Sequence, residues 1–174
     1  GNPDLLTLKA LECLQRADVV YYDNLISDEV LDRIRRDAKK LYVGKRRGVQ
    51  GIEQDVINEM LICDAQKGLR IVRLKGGDPL VFGRGGEELQ ALKAAGIHFE
   101  VVPGVTAALG SAAFAGIPLT HRDTAQSVRF ITAHLSNDNS DIDWAELARE
   151  KQTLVVYMGL AELPTLTRKL VEHG

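Results

Sequence analysis

Short runs of strand-forming residues alternate with helix-length stretches along the whole chain. Val19-Val20-Tyr21-Tyr22, Leu41-Tyr42-Val43, Arg70-Ile71-Val72-Arg73-Leu74 and Phe99-Glu100-Val101-Val102 read as strands, as do residues 128–134 and 153–158. Helical patterns lie between them. The first opens with Asn2 as cap and Pro3 in the first turn, and sets Leu5, Leu8, Leu11 and Leu14 along one face. Others begin near Ser27, at 51–67 with Ile52, Val56, Met60 and Cys63 as the apolar stripe, and at 86–95, 106–115, 143–151 and 161–172. Gly68 and Gly96 suit helix ends. Alternation of this kind means βα units, so the expected fold class is α/β with mostly parallel sheets. The texture changes after residue 124. The expected division is an N-terminal α/β domain at 1–124 and the start of a second at 125–174. The second shows only two strands, too few for an independent sheet. The first helix has no strand before it, so truncation at both ends is expected.

Composition narrows the function classes. Lys plus Arg is 22 and Asp plus Glu is 24, a net charge of −2 over 174 residues. Without a bulk positive field, nucleic acid and anionic membrane are not expected partners. No stretch approaches the about 18 consecutive apolar residues of a membrane span. Cys13 and Cys63 form no metal-ligand spacing and no disulfide framework, which suits a reducing cytoplasm. The four histidines, His98, His121, His134 and His173, are scattered, so no metal is expected.

Ligands of open parallel sheets bind beyond the carboxyl ends of the strands. The informative residues stand there: Asp23, Gly44-Lys45, Gly76-Gly77-Asp78-Pro79, Pro103-Gly104-Val105-Thr106 and Tyr157-Met158-Gly159. No phosphate loop, dinucleotide fingerprint or Gly-x-Ser-x-Gly elbow is present. The double glycine lets a backbone approach a ligand closely, and Asp78 offers a carboxylate; equally, it is a tight turn with an aspartate cap. Asp23 reads as a general base or as a turn residue. Lys45, Arg46, Arg47, Arg84 and Arg122 read as a cluster for a small polyanion or as solvated surface. Met158 reads as core or as cofactor contact.

Taken in order, Leu5-Leu6-Thr7-Leu8-Lys9-Ala10, Tyr22-Asp23, Val43-Gly44-Lys45-Arg46, the run from Val72 to Glu88 and Thr120-His121-Arg122-Asp123 resemble one family. The run Val72-Arg73-Leu74-Lys75-Gly76-Gly77-Asp78-Pro79-Leu80-Val81-Phe82-Gly83-Arg84-Gly85-Gly86-Glu87-Glu88 is the most specific. The chain resembles the uroporphyrinogen-III C-methyltransferases of the tetrapyrrole methylase family, including the methyltransferase module of sirohaem synthases. The resemblance implies two α/β domains with S-adenosyl-L-methionine held in the cleft between them. It implies methylation of uroporphyrinogen III at two ring carbons to precorrin-2, and a homodimer. By position, Gly76, Asp78, Val81, Thr106, Ala107 and Met158 match cofactor contacts. Asp23 matches the proton acceptor and Lys45 the proton donor. Arg84, Glu87 and Arg122 match positions that face the tetrapyrrole. Two other readings stay open: a tetrapyrrole methylase acting later in corrin synthesis, and a non-catalytic tetrapyrrole- or adenosyl-binding module.

Overall fold

The computed structural model describes residues 1–44, 52–133 and 142–174. It separates into two compact units, Gly1–Ala107 and Ala108–Gly174. That division falls earlier in the chain than the change of texture after residue 124.

The first unit is built on a parallel sheet. A 3-10 turn at Pro3–Leu5 precedes α1 (Leu8–Arg16), and β1 (Val19–Tyr22) follows. A short α2 (Asp28–Leu31) leads to β2 (Lys39–Tyr42), and α3 (Gln54–Gln66) to β3 (Ile71–Leu74). α4 (Gly85–Ala94) comes next. The strand order is β2-β1-β3, all parallel, with Val19 opposite both Lys39 and Ile71.

β1 is buried because it is central and covered on both faces. Successive side chains point to opposite faces, and the core divides accordingly. Val20 packs with Leu14, Ala17, Val30, Ile34, Ala38 and Leu74, the α1–α2 side. Val19 and Tyr21 pack with Val43, Ile57 and Leu61, the α3 side.

Three expectations change. Asn2 caps only the 3-10 turn, its Oδ1 accepting from the Asp4 amide at 2.8 Å. α1 proper starts at Leu8, because Leu6 and Thr7 are extended, with ψ 135 and 152, and Thr7 Oγ1 then caps the helix by accepting from the Ala10 amide at 3.1 Å. On α3 the buried residues are Ile57, Asn58 and Leu61. Val56 is 45% exposed and Cys63 is exposed, while Ile52 and Met60 pack at the margin of the core. The helix carries apolar residues around much of its circumference, so periodicity alone does not choose the face that meets β1. Residues 99–102 form no strand, and Phe99 and Val101 are exposed. Among the described residues they have no ladder partner, and a strand exists only by pairing its amides and carbonyls.

The second unit holds α5 (Ala107–Ala115, all but its first residue), β4 (Ser127–Thr132), α6 (Trp144–Leu147), β5 (Gln152–Tyr157) and α7 (Leu163–His173). β4 and β5 pair in parallel from Ser127–Gln152 to Thr132–Tyr157. Phe130 and Tyr157 meet across them, their rings tilted by 59° with centroids 5.8 Å apart. Asp143 caps α6 by accepting from the Glu146 amide at 2.8 Å, and the Gln152 side chain donates to the carbonyls of Glu146 and Leu147 at that helix's end. Among the described residues no helix is long and apolar enough to cross a membrane.

Candidate functional site

Because β1, β2 and β3 run in one direction, their carboxyl ends share one edge of the first unit. Asp23 follows the central strand and is flanked by the ends of both neighbours. Its Oδ1 accepts from the Leu25 amide at 3.0 Å, closing a turn. Its Oδ2 accepts from Arg73 Nη2 at 3.1 Å. Beside it, a Cβ on Gly44 would lie 2.9 Å from the Asn24 amide nitrogen, and a Cβ on Gly76 would lie 2.9 Å from Leu25 Cβ. Side chains at these two glycines would wedge the loops apart; without them, the loops after all three strands meet around Asp23.

The Gly76–Asp78 turn is bonded to the loop at 103–106. Asp78 Oδ1 accepts from the Leu80 amide at 2.9 Å, and Oδ2 from the Gly104 amide at 3.2 Å. Gly77 has φ +71, the left-handed region that favours glycine. A Cβ on Gly104 would run into the Gly77 carbonyl oxygen. Thr106 is buried where this loop passes into α5, and a Cβ on Gly77 would lie 3.7 Å from the Thr106 Cα and the Ala107 amide nitrogen. Both Asp78 oxygens are therefore engaged in holding the turn. Gly77 itself is exposed, so the turn presents bare backbone.

Beneath the loops lies a charge cluster that the sequence reading did not single out. Arg73 Nε donates to Glu88 Oε1 at 3.1 Å, and Lys75 Nζ to Glu88 Oε2 at 3.0 Å. Gln54 Nε2 also donates to Glu88 Oε1, at 3.2 Å. With Asp23, the cluster balances two cations against two carboxylates. The side chains of Arg73 and Glu88 are 15% and 6% exposed. Burial, then the nearby Arg73 charge, pushes the Lys75 ammonium below its ordinary value, against the pull of Glu88. The available signal was Arg73 and Lys75 two apart at the end of an otherwise apolar strand, hence on one face.

Val81, Arg84 and Glu87 lie on the following loop and the start of α4. Val81 is half-buried, its amide 3.4 Å from the Asp78 carbonyl. Arg84 forks onto Glu87, Nε to Oε1 at 2.8 Å and Nη2 to Oε2 at 2.6 Å, with both side chains exposed. The pairing raises the Arg84 guanidinium and holds the Glu87 carboxyl below its ordinary range. Phe82 and Arg84 both have positive φ, at 51 and 55, so the loop is strained. In the second unit, Met158 follows β5 with φ 55 and is 58% exposed, so it is not a core residue. Arg122 is exposed in the turn closed by the His121–Ala125 bridge. Lys45, Arg46, Arg47 and His134 lie outside the described residues. Among the described residues, no group of three or more His, Cys, Asp or Glu is placed to hold a metal ion.

A parallel α/β sheet whose polar and glycine-rich loops gather at its carboxyl edge defines a class: proteins that bind small molecules at that edge. Residues 1–174 match the tetrapyrrole (corrin/porphyrin) methylases. The chain is 59% identical to "Siroheme synthase 3" of Aeromonas hydrophila, over all 174 residues and 37% of that protein. It thus spans well under half the length of this curated relative. The uroporphyrin-III C-methyltransferase of Thermus thermophilus, solved with S-adenyl homocysteine, aligns over 100% of this chain and 73% of its own, with 40% identity and a TM-score of 0.79. A cobalt precorrin-4 methyltransferase aligns over 100% of this chain and 71% of its own, with 28% identity and a TM-score of 0.87. The chain belongs to the tetrapyrrole methylase family.

Proposed function

We propose that this chain carries out S-adenosyl-L-methionine-dependent C-methylation of uroporphyrinogen III at two ring carbons, giving precorrin-2 for sirohaem and cobalamin synthesis. The observation that carries the reading is Asp23: a half-buried carboxylate, fixed through both oxygens at the carboxyl end of the central strand, beside an exposed glycine turn. Identity of 59% with a siroheme synthase and 40% with a uroporphyrin-III C-methyltransferase supports the substrate class.

The donor set fits an adenosyl sulfonium. Bare backbone at Gly76 and Gly77 admits a close approach, and no phosphate-binding loop is present. Gly76, Asp78, Val81, Thr106, Ala107 and Met158 are assigned to this cofactor, Asp78 by holding the turn in shape. When bound, the cofactor supplies a methyl group already activated on sulfur, so the protein's task is chiefly alignment. The nucleophile is an electron-rich pyrrole carbon. Once methylated, the ring is cationic and must lose a proton, which Asp23 accepts. Lys45 is assigned as proton donor. Arg84, Arg122 and Lys45 meet the carboxylates of the substrate, and Glu87 keeps Arg84 in place until a substrate carboxylate takes its fork.

We assign the protein to the cytoplasm and to a homodimer. The free cysteines support the first. Leu109 and Phe114, exposed on the small-residue helix α5, support the second.

The test is methyl transfer by the intact gene product from S-adenosyl-methionine to uroporphyrinogen III, with S-adenosyl-homocysteine binding measured in parallel. Two methyl groups per tetrapyrrole are expected. Binding of both ligands without product would make it a binding module. Methylation of later corrinoids alone would move it along the pathway.

A further inference from the structure

We propose that Arg73 is a positioning residue for the proton-accepting carboxylate, and that Glu88, seated by Lys75 and Gln54, holds Arg73 in turn. The inference rests on the reading of Asp23 as the base.

Arg73 sits opposite Tyr21 in the β1–β3 ladder, two residues before Asp23 on the neighbouring strand. Its planar fork is used on every side. Nε goes to Glu88 Oε1, Nη1 to the Leu74 carbonyl at 2.8 Å, and Nη2 to Asp23 Oδ2. A guanidinium bonded in three directions has one orientation, and transmits it to whatever it touches. The turn bond from Leu25 accounts for Asp23 Oδ1 alone; it fixes the carboxylate at one oxygen and leaves the plane free to swing. The second bond, from Arg73, fixes that plane. An ionised carboxylate has about four lone-pair sites. With one used on each oxygen, the remaining pairs point in defined directions.

The cluster is poorly suited to being a stability device. Buried ion pairs return little net stability against well-packed apolar residues, because desolvating the charges costs about what their attraction gains. Their better use is geometric. Glu88 also sets the charge. Without it, Arg73 and Lys75 would face Asp23 as two cations against one carboxylate; with it the cluster is neutral, and Asp23 is oriented without being overwhelmed.

Arg73→Met is the informative variant, because Glu88 keeps Lys75 and Gln54 as partners when Arg73 is lost. The experiment is a double-mutant cycle on the intact gene product: wild type, Arg73→Met, Asp23→Asn and the pair. It is read as the single-turnover rate of precorrin-2 formation from uroporphyrinogen III, which includes the proton loss that follows methyl transfer. Misplacing a reacting group by about an ångström costs on the order of 100-fold, and Arg73→Met is expected to lose about that much. In the Asp23→Asn background the same change should alter the rate by no more than about twofold, because the group it positions is gone. Arg73→Lys keeps the cation and should recover part of the loss; if Arg73→Met does not fold, Arg73→Lys takes its place in the cycle. A rate within about twofold of wild type for the Arg73 variant overturns the inference. So does a loss repeated in full in the Asp23→Asn background, since Arg73 would then act on the fold and not through Asp23. If Asp23→Asn alone keeps wild-type turnover, the assignment of the base fails first, and the cycle separates that failure from the other two.

Discussion

Gly104 has no room for a side chain, because a Cβ there meets the carbonyl of Gly77. Gly104→Ala should therefore push the 103–106 loop off the Gly76–Asp78 turn. We expect a loss of about 1–3 kcal/mol in urea unfolding, the usual scale of overpacking, together with weaker S-adenosyl-homocysteine binding. Gly86 is the contrast. It lies in the first turn of α4 with open space where a Cβ would go. Gly86→Ala should stabilise by roughly 0.5–1 kcal/mol, through the backbone entropy that glycine loses in a helix. Equal effects from the two substitutions would contradict the packing account. The same residues show what was legible. Asp23 and Gly76-Gly77-Asp78 stood out in the sequence because they follow apolar strands directly, where open parallel sheets bind ligands, although a turn asks for the same residues. Whether Asp78 holds a turn or a ligand was not legible, since both uses ask for the same carboxylate; its bonds to Leu80 and Gly104 establish the first. Arg73, Lys75 and Glu88 passed unnoticed because a charge in sequence does not name its partner, and Asp23 lies 50 residues from Arg73.

Elements were legible where periodicity had one solution. Val19-Val20-Tyr21-Tyr22 reads as a strand, and it is one, with its first three residues buried. α3 had several apolar rows, and only packing against β1 selects Ile57 and Leu61. Residues 99–102 carry strand-forming side chains, yet pairing is a property of two segments and cannot be read from one. α3 also carries a pH-sensitive tie to β1. Tyr21 Oη donates to Asp64 Oδ2 at 2.6 Å, and Lys67 Nζ to Asp64 Oδ1 at 2.7 Å. Lys67 first, then Tyr21, holds the Asp64 carboxyl below its ordinary value of 3.8. The unfolded chain thus takes up the proton before the folded one. The contribution is fully present above the unfolded value and is lost as pH falls through the folded one. Asp64→Asn should cost about 1.5 kcal/mol at neutral pH, the scale of a charged hydrogen bond, and much less at a pH low enough to protonate wild-type Asp64. Urea unfolding at both pH values checks this; a difference independent of pH would contradict it.

For the whole molecule, the alternation of strands and helices dictated parallel sheets, and both sheets are parallel. The structure divides the chain at Ala107–Ala108, where α5 begins, whereas the change of texture in the sequence comes after residue 124. Assembly is the next testable property at this scale. If α5 supplies a subunit interface, the intact gene product should sediment as a dimer at micromolar concentration, and Phe114→Asp should shift it toward monomer. A wild-type monomer would reject the assignment. The central claim is that a carboxylate at the end of β1 takes the proton released after methylation. Asp23→Asn preserves the shape of that side chain and its acceptor toward Leu25 while removing its basicity. The measurement is steady-state precorrin-2 formation by wild type and Asp23→Asn, with S-adenosyl-homocysteine affinity measured by calorimetry on the same preparations. Turnover lower by about 100- to 10,000-fold with cofactor affinity unchanged is expected if Asp23 is the base; near wild-type turnover in the variant would reduce Asp23 to a turn residue and contradict that role.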